Sequence, residues 1–303
     1  MLDALLDRTI AWSFDASGFV RHARRFRPGA LDVDLSGRNY VVTGANSGLG
    51  YATTAALARR GARVWMACRS AARAEEAAER IRADGGAPPH VALLDVSDLA
   101  SVRAFAAEAP ASIDGLVHNA GLLNDRRVLT ADGLEETFAV HVAGPQLLTR
   151  LLADRCARVV WVSSGGMYTQ RLDVERLQRP PEPFDGVVAY ARCKRAQVVL
   201  AAEWHARLAA RGAVVSAMHP GWAATPGVAS SLPRFDRLLQ GRLRSAAQGA
   251  DTIVWLAASP DASEAGRRFW FDRAEAPEHL LPWTRETPTE RAHLWDAVEA
   301  AVG

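Results

Sequence analysis

The chain has 303 residues, 49% of them apolar and 23% charged, which suits a well-buried globular core and excludes a disordered or fibrous polypeptide. Its 36 basic and 34 acidic residues leave a net charge of +2, so there is no global electrostatic reason to expect nucleic acid. Three scattered cysteines, Cys68, Cys156 and Cys193, are too few for a disulfide or zinc framework, and no metal site is expected.

A reducing compartment is the default for such a chain. No apolar run approaches the roughly 18 residues of a membrane span. The first residues carry Asp3, Asp7 and Arg8 among apolar ones, which is neither a signal nor a transit peptide. A cytoplasmic location is expected.

Residues 1–36 precede the first strand and read as a mostly helical extension with a basic end at Arg21, Arg24, Arg25 and Arg27. Its apolar residues Leu2, Leu5, Leu6, Ile10, Phe14, Phe19 and Phe26 fit either contact with a membrane surface or packing onto the rest of the chain. From residue 37 onward strands and helices alternate. Strands are expected at 40–43, 63–67, 90–94, 115–119, 158–162, 213–218 and 267–271. Helices are expected after the glycines at 51–60, then at 71–82, 98–109, 132–154, 187–210 and 245–258. A polar, Pro-rich loop separates 162 from 187, and a substrate-covering loop spans about 222–244. This rhythm predicts a single α/β domain: a Rossmann-type, doubly wound parallel sheet of about seven strands in the order 3-2-1-4-5-6-7.

The first strand runs into Thr43, Gly44, Ala45, Asn46, Ser47, Gly48, Leu49 and Gly50. Glycines there permit a tight turn and let backbone amides approach a pyrophosphate, while the next helix offers its N-terminal dipole to that anion. A dinucleotide site often places a carboxylate at the end of the second strand, on the ribose 2′-hydroxyl. Here Cys68 holds that place and Arg69 follows. No carboxylate opposes a 2′-phosphate and a guanidinium stands ready to bind one, so NADP(H) is expected over NAD(H). The alternative for Arg69 is an ordinary solvated arginine.

Of the 36 basic residues, 35 are arginine; the single lysine, Lys194, stands four positions after Tyr190, one of only four tyrosines. At i and i+4 the two side chains share a helix face. A phenol with a pKa near ~10 is a poor proton carrier at neutral pH, and a neighbouring cation favours its ionised form. The pair therefore reads as a proton donor or acceptor beside its tuner. Ser163 and Ser164 close the fifth strand, where a parallel sheet presents its ligands; a turn cap is the structural alternative for Ser164.

Gly-x-x-x-Gly-x-Gly at 44–50, HNAG at 118–121, the serine pair, Tyr190-x-x-x-Lys194 and HPGWAAT at 219–225 together resemble the short-chain dehydrogenase/reductases, and the likeness runs from about residue 10 to about 282. That resemblance implies a hydride transferred between nicotinamide and a carbonyl or alcohol. It implies Ser164 polarising the substrate oxygen, Tyr190 moving the proton, and Lys194 tuning Tyr190 and reaching the nicotinamide ribose. It implies Asp95 and the Val96 amide at the adenine, and Asn119, Ala120 and Gly121 along the cofactor ribose. It further implies Pro220, Gly221 and Thr225 over the nicotinamide. The family's asparagine in the helix at 132–154 is replaced here by His141, which either relays a proton or merely packs.

Met167, Tyr168, Trp222, Phe235 and Trp283 are candidates for an apolar substrate cleft or for plain packing. The expected partner is therefore a small to medium, apolar carbonyl or alcohol, with no nucleic acid. A homodimer through the helices at 132–154 and 187–210 follows the pattern of relatives. The competing reading, drawn from His141, is a cofactor-binding regulatory or scaffold protein with little catalysis.

Overall fold

The computed structural model describes residues 9–224, 237, 239 and 241–303. An eight-stranded sheet organises them in the order β3-β2-β1-β4-β5-β6-β7-β8. The strands are β1 (Asn39–Thr43), β2 (Arg63–Cys68), β3 (His90–Leu93), β4 (Gly115–His118), β5 (Arg158–Val162), β6 (Val214–Met218), β7 (Phe269–Phe271) and β8 (Ala274–Ala276). The first seven pair in parallel and β8 runs antiparallel to β7. The expected order is thus found, with one further edge strand that a three-residue segment (Ala274–Ala276) was too short to announce.

Two apolar layers cover the sheet. On one face lie α3 (Gly48–Ala58), α4 (Ala71–Ala83) and, later in the chain, α9 (Ala246–Ala258), packed with Val42, Val64, Met66, Val117 and Val160. On the other lie α5 (Leu99–Glu108), α6 (Glu136–Leu152) and α8 (Gly186–Leu208), packed with Val41, Leu116, Val159 and Trp161. Val41 and Val42, or Val159 and Val160, face opposite layers because side chains alternate along a strand. A sheet buried on both faces therefore reads as continuous apolar runs.

The helix expected at 132–154 begins four residues later. Gly133 turns the chain at φ +74°, and Glu135 caps the helix by accepting from Phe138 N at 2.9 Å. Its residues Ala139–Ala143 form a π-helical segment, a local widening that often marks functional sites. The Pro-rich loop contains one short helix, α7 (Glu175–Gln178).

The C-terminal helix α10 (Pro288–Val302) is a further addition. Thr287 and Glu290 form a capping box at its start, with Pro288 at the first helical position. It lies across α6 and α8, burying Leu294, Val298 and Val302. Gln146 donates to Glu299 at 2.6 Å, Arg291 to Glu203 at 3.0 Å, and the Trp204 and Trp295 rings meet at 5.0 Å.

In the N-terminal segment, α1 (Ile10–Ser13) and α2 (Ala16–Ala23) sit against the sheet's carboxyl edge, with Phe14 in the core, while Ile10, Trp12 and Val20 are exposed. Leu2, Leu5 and Leu6 lie outside the described residues. Among the described residues, no helix is long and apolar enough to cross a membrane.

Candidate active site

The carboxyl ends of β1, β4, β5 and β6 adjoin in the sheet and carry the predicted residues into one edge. Thr43 laces the first two ends together: its hydroxyl accepts from the Asn119 and Ala120 amides, both at 3.0 Å, and donates to Val117 O at 3.3 Å. The Asn119 amide group donates to Thr43 O at 2.9 Å and to Gly44 O at 3.3 Å. Gly50 has no room for a side chain: a Cβ there would lie 2.2 Å from Gly44 O and 2.5 Å from Asn119 Nδ2. Asn46 and Ser47 carry the loop into α3, and Gly48 and Leu49 open that helix. Ser47 stands at its N-cap without capping it through its side chain, so the first-turn amides stay available to an anion.

Cys68 is buried beneath this loop. Burial pushes its thiol up, against the opposing pull of hydrogen bonds from the Ala45 and Asn46 backbone. Arg69 follows it, exposed. No carboxylate therefore occupies the tip of β2. Asp95 is half-buried beyond β3, where its carboxylate accepts from Ser97 N at 2.9 Å and Ser97 Oγ at 2.6 Å. Val96, next to it, is buried, and Gly144 of α6 lets its carbonyl approach.

Ser164, Tyr190 and Lys194 come together between β5 and α8. Asp185 caps α8 by accepting from Val188 N at 3.0 Å, which fixes where the helix starts and hence which face carries Tyr190 and Lys194. Ser164 stands beside the Tyr190 phenol, near enough to pull it down against burial, and accepts from Gly166 N at 3.2 Å. The turn-cap reading of this serine is thus realised. Lys194 Nζ lies 5.4 Å from the centre of the Tyr190 ring and donates to Val162 O at 2.8 Å. Ser163 Oγ donates to Lys194 O at 2.8 Å, tying β5 to the helix.

Burial raises the Tyr190 phenol, with Ser164 opposing it. Burial also pushes the Lys194 ammonium down to about 7. The expected lowering of the tyrosine by its lysine is not found here, because burial raises the phenol and depresses the ammonium. At neutral pH Tyr190 holds its proton and is poised to donate it.

His141 stands at the centre of the π segment, fully buried, with its ring edge-on to Tyr190 at 5.1 Å. Its Nε2 lies 2.8 Å from Leu122 O and 3.2 Å from Leu122 N. The shorter contact assigns the proton to Nε2, which leaves Nδ1 a buried acceptor without a partner. Burial, then the charge of Lys194, holds this histidine well below its usual range despite the Leu122 hydrogen bond. Gly121 is fitted to it, since a Cβ there would lie 2.8 Å from the ring. The ring packs on Tyr190 and Gly121 and meets Leu122 through Nε2.

Pro220 and Gly221 follow β6 beside His219. Thr225 and Phe235 lie outside the described residues. Met167 and Tyr168 belong to the core rather than to a cleft, and the Tyr168 hydroxyl donates to Pro277 O at 2.7 Å. Trp283 is 70% exposed, while Trp222 is half-buried against Phe14. Three supporting residues carried no signal in the sequence. Arg195, fully buried, donates to Met167 O, Gln170 O and Glu278 O, holding the turn after Ser164. Gln197 donates to His141 O at 2.7 Å. Arg244, also fully buried, pairs with Asp272.

Residues 38–174 match the family model described as short chain dehydrogenase. The chain is 41% identical over 312 residues to dehydrogenase/reductase SDR family member 12 of Bos taurus, covering 97% of this chain and 98% of that protein. It belongs to the short-chain dehydrogenase/reductase family. Nicotinamide-dependent oxidoreduction is that family's general chemistry. Among solved structures, an uncharacterised protein from Mycobacterium paratuberculosis superposes with a TM-score of 0.73 at 31% identity, covering 90% of this chain and 96% of that one. A protein from Beutenbergia cavernae, described as an NAD(P)-dependent gluconate 5-dehydrogenase and solved with NADP at low occupancy, gives a TM-score of 0.62 at 27% identity, covering 78% and 95%.

The residues at this edge fit such a cofactor. The glycine cradle, whose tightest point a Cβ would fill, opens onto a helix N-terminus, and Tyr190 and Lys194 stand at the same sheet edge.

Proposed function

We propose that this chain is an NADP(H)-dependent reductase or dehydrogenase acting on a small to medium, apolar aldehyde, ketone or corresponding alcohol. The observation that carries the reading is Lys194 Nζ 5.4 Å from the centre of the Tyr190 ring, with Ser164 at the end of the adjoining strand. Bound nicotinamide supplies or accepts the hydride. The residues of the chain do the rest. Ser164 holds the substrate oxygen beside the phenol. Tyr190 gives its proton to that oxygen as negative charge develops on it, and the Lys194 ammonium then stabilises the phenolate left behind. A phenol kept protonated by burial suits the reducing direction.

Thr43, Gly44, Asn46, Ser47, Gly48, Leu49 and Gly50 would hold the pyrophosphate, with Asp95 and Val96 at the adenine. Asn119, Ala120, Gly121, Tyr190, Lys194, Pro220, Gly221 and Thr225 would border the nicotinamide half. Cys68 in place of a carboxylate, with Arg69 exposed beside it, supports the phosphorylated nucleotide. We place the protein in the cytoplasm. A homodimer through α6 and α8 would have to use what α10 leaves uncovered on those helices. One observation favours a weakly catalytic, cofactor-binding protein instead: a buried, neutral His141 where the family has an asparagine.

Titration with NADPH and with NADH, followed by nicotinamide fluorescence excited through tryptophan, tests the cofactor. Micromolar NADPH binding with at least tenfold weaker NADH is expected. Decanal, benzaldehyde and acetophenone with NADPH then test the chemistry. Tyr190→Phe should abolish turnover of whichever probe is reduced while keeping NADPH binding within threefold. A folded protein that binds neither nucleotide, or turnover unchanged in Tyr190→Phe, overturns the reading.

A further inference from the structure

The N-terminal segment reaches the back of the active site. Phe14, between α1 and α2, is 7% exposed and packs its ring on His219, Phe271 and Trp222, with centroids 4.5, 5.1 and 6.0 Å away. The same ring abuts Gly165, the residue after Ser164: a Cβ at that glycine would lie 2.6 Å from the Phe14 ring edge. The backbone of the turn that presents the Ser164 hydroxyl therefore leans directly on a side chain from the chain's first 15 residues.

Phe14 is itself held where the segment around 222–244 begins and ends. Trp222 N donates to Phe14 O at 2.8 Å, and Ala16 N donates to Arg242 O at 2.9 Å. Arg244 N donates to Trp222 O and Ala224 N to Arg244 O, both at 2.8 Å, so the two ends and the N-terminal segment form three hydrogen-bonded rails. Arg244 locks them. Its guanidinium, 0% exposed, donates to Ser13 O at 2.9 Å, Phe14 O at 2.9 Å, Asp15 O at 3.2 Å and Pro220 O at 3.3 Å. It also makes a bidentate pair with Asp272 at 2.6 and 2.8 Å. A buried guanidinium needs all its donors matched, so it specifies one arrangement of the carbonyls around it.

We propose that Phe14 is a positioning residue of the active site, acting through Gly165 on Ser164, and that Arg244 holds it in register with the backbone at Pro220. The role given to Ser164 rests on the oxidoreductase reading above; the placement of the Ser164 turn by Phe14 stands on geometry. The N-terminal segment is then a structural wall of the site. A membrane tether attached to a site complete without it would leave the Ser164 turn indifferent to Phe14.

The test uses the full-length chain and the variants Phe14→Ala, Phe14→Leu and, as a control on the exposed side of the same segment, Val20→Ala. Amide hydrogen exchange with mass spectrometry reads the turn directly. In Phe14→Ala, exchange at 163–167 should rise at least tenfold, with exchange at 43–50 and the NADPH dissociation constant changed less than threefold. With a reducible carbonyl, kcat should fall at least tenfold, Phe14→Leu should recover most of it, and Val20→Ala should match the wild type. Unchanged exchange at 163–167 overturns the proposal. So does a rise spread evenly over the whole chain, or a loss of kcat that Phe14→Leu does not recover. If the wild type reduces no carbonyl, the oxidoreductase reading fails while the exchange data still decide whether Phe14 positions the turn. Should Phe14→Ala not fold, Phe14→Val, shorter than leucine, takes its place: a selective rise at 163–167 supports the proposal and none refutes it.

Discussion

Replacing Lys194 by methionine should stabilise the protein in acid and destabilise it in alkali. Lys194 is 4% exposed and has one hydrogen-bonded acceptor, Val162 O at 2.8 Å. Tyr190 and Cys193 face it from its own helix and His141 from α6. Burial lowers its ammonium from 10.5 to about 7. At ~1.4 kcal/mol for each tenfold change in proton affinity, the charged form is penalised by about 5 kcal/mol relative to the unfolded chain. Between about pH 7 and pH 10.5 the unfolded chain holds a proton that the folded one has released, so stability rises with pH across that window. Below pH 7 the penalty is full and constant. Methionine has similar length and no charge, but it leaves Val162 O without its donor, a cost of about 1–3 kcal/mol at every pH. The variant should therefore be more stable than the wild type by about 2–4 kcal/mol at pH 6 and less stable by about 1–3 kcal/mol near pH 10.5, with the crossing near pH 9. Urea unfolding of both proteins at pH 6, 8 and 9.5, followed by tryptophan fluorescence, measures the difference. A difference that stays constant across this range would show that Lys194 remains charged in the fold, and the burial argument would fail.

Gly50→Ala forces a methyl to within 2.2 Å of Gly44 O, so the nucleotide loop must shift; NADPH affinity should fall at least a hundredfold, and a value within threefold of wild type refutes the cradle. His141→Asn removes the ring that packs on Tyr190 and Gly121; unfolding should cost about 1–3 kcal/mol less, and kcat should change less than tenfold. A hundredfold change in kcat in either direction would instead make His141 a working or an impairing part of the site. Leu294→Ala, at a fully buried position of α10, should lower stability by about 2–5 kcal/mol in urea; a loss under 1 kcal/mol would mean that α10 is not docked on α6 and α8.

Much of the site could be read before the fold was known, because its chemistry is written in short local spacings. The glycines at 44–50 sit between a strand and a helix, and Tyr190 and Lys194 are four apart on one helix, so each group is close in sequence and in space. Arg195, Gln197, Phe14 and Arg244 were not legible. Each acts on residues far away in the chain: Arg244 reaches Ser13 across 231 positions, and Gln197 reaches His141 across 56. No periodicity or motif reports a contact of that separation. Neither α10 nor β8 was among the expected elements; for β8, three residues hold too little pattern to separate a strand from a turn.

The sequence by itself determined the alternation of strands and helices, the strand order of the parallel sheet and the placing of Tyr190 and Lys194 on one helix face. Alternating apolar runs and right-handed crossovers leave few ways to stack such a chain. The tertiary structure alone decided the electrostatic state of that pair. Four apart on one helix, Tyr190 and Lys194 share a face in any fold, but burying both raises the phenol and lowers the ammonium. Burial is a property of what packs around a group, and here that packing comes from β5 and from the widened turn of α6.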